Sequence, residues 1–151
     1  MQYDFSTVAD VVSYASVPEG HYLCRVVEVR EGQARDGSPR WNLRLEVAEG
    51  DLAGRTAAWD SITWSERGIH RVKLVLDCLG IETDGVVEIA TDELVDLETC
   101  VQVVLEERED PLSGRRELRN RVPYDGYVPA DRWRELSAEE GSGDGEGNGR
   151  G

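Results

Sequence analysis

A chain of 151 residues, 39% hydrophobic and 32% charged, is the size of one domain with tails rather than two ordinary domains. It holds no apolar run of the ~18 residues a membrane helix needs, and Met1 to Ser6 lacks the basic-then-apolar order of a signal peptide; a cytoplasmic protein is expected, with no membrane partner. The formal net charge of −14 opposes binding to polyanions, because phosphate affinity draws on released counterions and needs local Lys or Arg, so any such binding must come from where the cations are concentrated.

Residues 1–16 read as an N-terminal extension, weakly apolar through Tyr3, Phe5, Val8, Val11, Val12 and Tyr14, and compatible with a short helix folded back on the domain. After the Pro18-Glu19-Gly20 turn, His21 to Glu31 is rich in β-branched and aromatic residues. Leu23, Arg25, Val27 and Val29 alternate there against Tyr22, Cys24, Val26 and Glu28, which predicts a long first strand. Asp36-Gly37 is a hairpin signal. Beyond it Trp41, Leu43, Leu45 and Val47 alternate with Asn42, Arg44 and Glu46, a second strand with its apolar side toward the core. The turn 49–54 leads to a third strand, Arg55 to Ile62, with Trp59 and Asp60 on opposite faces.

Thr63 to Glu66 has the spacing of a capping box. Ile69, Val72, Val75, Leu76 and Leu79 then recur at helical spacing, and Gly80 supplies a stop. The polar side of this helix carries Arg67, His70, Arg71, Lys73 and Asp77. Thr91 to Leu94 reads as a helical turn opened by an N-cap. Cys100 to Glu107 is the fourth strand, the 110–116 loop follows, and Glu117 to Tyr124 is the fifth. The fold expected is mainly β, a five-stranded Greek-key barrel of the oligonucleotide/oligosaccharide-binding (OB) type over residues 17–124, with one amphipathic helix between strands three and four. Residues 125–140 read as an extended segment, and 141–151, almost all Gly, Ser, Asp, Glu and Asn, as a disordered acidic tail.

Catalytic patterns are lacking. His21 and His70 stand outside any metal spacing, and no nucleophile elbow, phosphate-binding loop or Cys-His signature occurs. Cys24, Cys78 and Cys100 have no C-x-x-C spacing and sit in apolar runs, which suits small buried hydrophobes. No enzyme, cofactor or metal is expected.

The distribution of Arg and Trp points elsewhere. Sixteen of the 17 basic residues are Arg and one is Lys73, a bias that suits phosphate forks and stacking on bases and that a GC-rich genome also produces. Barrels of this type bind oligonucleotides on strands two and three and in the loops joining strands one to two and four to five. Those places hold Arg35, Arg40, Trp41, Arg44, Arg55, Trp59, Arg115 and Arg116, with Arg119 and Arg121 on strand five and Trp64, Arg71 and Lys73 on the helical segment. Trp41, Trp59 and Trp64 are the candidate stacking platforms; packing in the core is open for each, and Trp41 shares the core-facing parity of Leu43.

The series Val17-Pro18-Glu19-Gly20, Tyr22, Val26 to Val29, Gly37-Ser38-Pro39, Leu43 to Val47, Gly54-Arg55, Trp59-Asp60 and Leu79-Gly80 resembles a phage and prophage family of OB-fold single-stranded-DNA-binding proteins, long catalogued as a domain of unknown function. Leu94-Val95, Val101 to Glu106, Gly114 and Asn120 to Val122 continue the likeness, so that it covers residues 17–124. The resemblance implies a replication or recombination accessory that coats single-stranded DNA without sequence preference in the cytoplasm of a bacterial host. A phage recombinase, polymerase or helicase engaged through the acidic tail, and a homo-oligomer, are partners compatible with it. The chain departs from many relatives in its shortage of Lys and in a tail without an apolar tip. The alternative is a protein-interaction module of phage origin that does not bind nucleic acid.

Overall fold

The computed structural model describes residues 1–2 and 11–136. The strands are β1 (Val11–Ser13), β2 (Gly20–Gln33), β3 (Pro39–Val47), β4 (Thr56–Thr63), β5 (Glu98–Glu109), β6 (Arg116–Arg121) and β7 (Tyr127–Val128), with the helix α1 (Ile69–Cys78) between β4 and β5. Short 3-10 turns lie at Thr91–Glu93 and Ala130–Arg132. The acidic tail from Gly141 to Gly151 is outside the described residues, as is most of the N-terminal extension. At the end of that extension Val11–Ser13 form β1, with Val11 and Val12 paired in parallel with Arg116 and Glu117 of β6; the rest of the stretch read as compatible with a short helix lies, from residue 3 to 10, outside the described residues.

The protein is mainly β, a single sheet in the order β1-β6-β5-β2-β3-β4 with β7 also paired to β5. Every pairing other than β1 with β6 is antiparallel. Two long strands curl it. β2 gives Gly20–Arg25 to β5 and Cys24–Gln33 to β3, while β5 gives Glu98–Val103 to β2 and Val104–Glu109 to β6. Leu43, Leu45, Val47, Cys24 and Val26 line the inside with Ile62, Val101 and Val103, all at or below 1% exposure. α1 closes one end of this core through buried Val72, Val75 and Leu76.

Two local devices set α1. Gly68 precedes it in close quarters, since a Cβ there would sit 2.4 Å from the Thr63 carbonyl oxygen. At the other end Gly80 has φ +87, and its N–H and that of Ile81 donate to the carbonyls of Asp77 and Leu76 at 3.0 and 2.9 Å, a Schellman stop. The capping box expected at Thr63–Glu66 does not form. β4 runs through Thr63, the Trp64 N–H donates to the Pro39 carbonyl at 2.8 Å, and the helix begins only at Ile69.

The ladder does not close into a barrel. β4 is the last strand on one side, and β6, which packs beside it, has Arg116–Leu118 taken by β1. Arg119–Arg121 therefore meet β4 across an open seam.

Candidate functional site

The register of β2, β3 and β4 decides which side chains share the outer surface. Glu28, Arg44 and Trp59 form one row, Arg30, Asn42 and Ser61 the next, and Gly32, Arg40 and Thr63 a third. From Trp59 to Thr63 this surface extends ~13 Å at the rise of a strand. Arg25 and Glu46 pair beside it at 3.4 Å, so four arginines face two glutamates on the outer side of these strands. A β-bulge between Val26 and Glu28 shifts the alternation, putting Glu28 and Arg30 outside and Val29 against the core. Strict alternation along β2 hides Arg30; only the bulge exposes it.

Trp59 is 42% exposed, and the Arg30 guanidinium lies 4.7 Å from its ring centroid. The Arg30 Nε also donates to Glu28 at 2.7 Å. Arg44 is half-buried, its Nε has no hydrogen-bond partner, and Glu28 is 3.9 Å away. Arg40 is exposed with no ion pair among the described residues.

Trp59 also forms one wall of the seam. There a cleft of about 380 Å³ is lined by Trp59, Tyr14, Arg108, Arg119, Arg121 and Glu106, among others. The Arg119 guanidinium stacks on Tyr14 at 4.6 Å and pairs with Glu117 at 3.1 Å, while Arg121 meets Glu106 at 3.4 Å. Arg108 has no such pairing among the described residues. Arg55 donates to the Ser16 carbonyl at 3.0 Å, and Asn120 holds the backbone of Ser16 and Val17, so the chain entering β2 is tied to this edge. Tyr14 and Arg108 join Arg30 as residues sequence reading missed. The parity that Arg108 shares with Glu106, whose rung is Arg119, is the signal that would have found it.

The loop between β2 and β3 is pinned by Ser38 donating to the Asp36 carboxylate at 2.9 Å, which holds that carboxyl below its usual value. Arg35 is exposed on it and shares a shallow depression of about 420 Å³ with Arg67, Thr63 and Ser65 near the start of α1. The loop between β5 and β6 closes on Asp110, which accepts from Leu112 at 2.9 Å. Arg115 is exposed there, and Arg116 pairs with Glu107 at 2.6 Å.

Four residues singled out in the sequence are placed elsewhere. Trp41 is buried at 8% exposure, edge-on to Trp64 at 5.0 Å, as its parity with Leu43 requires. Trp64 packs beside α1. Lys73 is on the far side of α1, bound to Asp77 at 3.1 Å and Thr83 at 3.0 Å. Arg71 does not belong to an exposed stripe. Its guanidinium is 3.0 Å from Asp60, both side chains being about 11–12% exposed, and it donates to the carbonyls of Ser61, Pro123 and Tyr124. Tyr127 donates to the same Asp60 carboxylate at 2.6 Å. Burial outweighs these contacts and raises the Asp60 carboxyl above its ordinary value. Burial likewise carries the Tyr127 hydroxyl well above its own. Arg71 clamps α1 and the 123–127 segment to β4.

No group of His, Cys, Asp and Glu among the described residues is arranged to hold a metal ion, and no described helix is long and apolar enough to cross a membrane. The sequence profile of the family described as "Protein of unknown function (DUF669)" matches residues 2–110, and the chain belongs to that family. The match ends in the β5–β6 turn, so Arg119 and Arg121 lie beyond it. A search of curated proteins finds no match.

Proposed function

We propose that the outer surface of β2, β3 and β4, continued into the seam beside β6, binds single-stranded DNA without sequence preference, on a sheet of OB type whose barrel is left open at that seam. The observation that carries this reading is Trp59, exposed at the junction of both surfaces with Arg30 already stacked on it. A flat indole beside a cationic track is what base stacking and backbone neutralisation require, and each stacked base contributes ~1–3 kcal/mol. The local charge supports it: four arginines against two glutamates on the strands, and three arginines against one glutamate in the cleft. Docking of a protein on this same surface is less well served, because the two large apolar side chains exposed there among the described residues, Trp59 and Tyr14, each already carry an arginine over the ring. The resemblance to phage single-strand binders suggests a replication or recombination setting.

Titration with oligo-dT at two salt concentrations tests the reading through tryptophan fluorescence. Quenching that weakens steeply with salt, and is lost together with about thirtyfold in affinity in Trp59→Ala (~2 kcal/mol for one stacked base), is expected. Binding that Trp59→Ala leaves untouched would refute it.

A further inference from the structure

A second surface lies on another side of the molecule, and its chemistry is the reverse of the first. Between α1 and the segment that follows it runs a groove of about 220 Å³, walled by Trp64, Ile69, Val72, Leu76, Val87 and Ile89. Ile69 and Val87 are each 41% exposed, and neighbouring Val86 is fully exposed. The segment alternates across this boundary. Thr83, Gly85, Val87 and Ile89 line the groove, while Glu82, Asp84 and Glu88 are exposed to solvent. Residues 82–89, which wall the groove, hold three carboxylates and no Lys or Arg, and Lys73, the one cation lining the groove among the described residues, is occupied by Asp77 and Thr83. The Trp64 ring lines the same groove, so its indole resonance responds to whatever enters it.

We propose that this groove takes a segment of a partner protein in which an aliphatic side chain is flanked by Lys or Arg, the aliphatic side chain packing against Trp64, Val72 and Val87. Charge decides the occupant. Exposed Glu82, Asp84 and Glu88 on the segment that walls this apolar slot repel DNA and repel a second copy of a chain whose net charge is −14, and they attract a basic peptide. The proposal is independent of DNA binding, since it uses none of the residues of the outer sheet surface or the seam. It would let the protein hold a nucleic acid on one side and a basic partner on the other.

The test uses the full-length protein labelled with ¹⁵N and the synthetic peptide Lys-Lys-Leu-Ile-Leu-Lys-Lys. The Trp64 indole N–H resonance should move saturably. Replacing the peptide's centre by serines, or introducing Val87→Asp at the exposed lip of the groove, should each weaken binding at least tenfold, while Trp59→Ala should change it less than twofold. A Trp64 resonance that does not respond, equal binding of the serine-centred peptide, or full binding by Val87→Asp would overturn the proposal. Sedimentation showing a dimer that Val87→Asp dissociates would assign the groove to a second copy and overturn it too.

Discussion

Trp59 and Asp60 are consecutive on β4, and each has an arginine against it, yet the two pairs behave as different chemistry. On the outer side Arg30 lies over an exposed indole and donates to a single carboxylate, Glu28. On the inner side Arg71 is spent on Asp60 and the carbonyls of Ser61, Pro123 and Tyr124. A guanidinium has five N–H donors, so the outer one keeps most of its capacity for a ligand and the inner one keeps almost none. Residue type therefore says little about which arginine is free to meet a ligand; the number of donors already satisfied says much more.

The largest expected effects fall on the inner side and leave the proposed binding surface intact. Trp41→Ala empties a buried site against Trp64, and a loss of ~3–5 kcal/mol in urea unfolding is expected, with oligo-dT affinity of the folded fraction changed less than twofold. A large loss of affinity at unchanged stability would reverse the assignment of the two indoles. Asp60→Ala comes next. It strands the Arg71 charge in a nearly buried position, and breaking such a pair from one side costs about 3 kcal/mol, whereas Asp60→Asn keeps an acceptor and should cost less. Equal effects of the two substitutions would show that the Arg71 clamp contributes packing rather than charge.

Much of this arrangement is legible in the sequence, and the gaps have identifiable physical causes. Alternation along Trp41 to Val47 marks both the core side and the outward Arg44, because β3 is regular from end to end. The same rule fails on β2, where one bulge transfers Arg30 to the outer surface and no local composition announces it. Helical periodicity correctly separates Val72, Val75 and Leu76 from the polar side of α1. It does not reveal that the 123–127 segment folds over that side and buries Arg71. Nor does the chain advertise the open seam, which depends on β1 claiming an edge of β6 from more than a hundred residues away.

The smallest of the expected effects separates the two surfaces most sharply. Arg40 and Arg44 lie on β3, the central strand of the outer surface, in its two end rows, and under the proposed binding both neutralise backbone phosphate. Each phosphate contact to a single strand contributes ~0.7 to the dependence of log affinity on log salt. The double variant Arg40→Ala with Arg44→Ala should flatten that slope by about 1.4 if each residue neutralises one phosphate. The weakening should be uniform for oligo-dT, oligo-dA and oligo-dC, since phosphates carry no sequence information. Folding should be little altered, because Arg30 remains to pair with Glu28. A slope that stays as steep as in the unmodified protein would shift the phosphate track to the seam arginines Arg108, Arg119 and Arg121, and the outer sheet would then serve stacking alone.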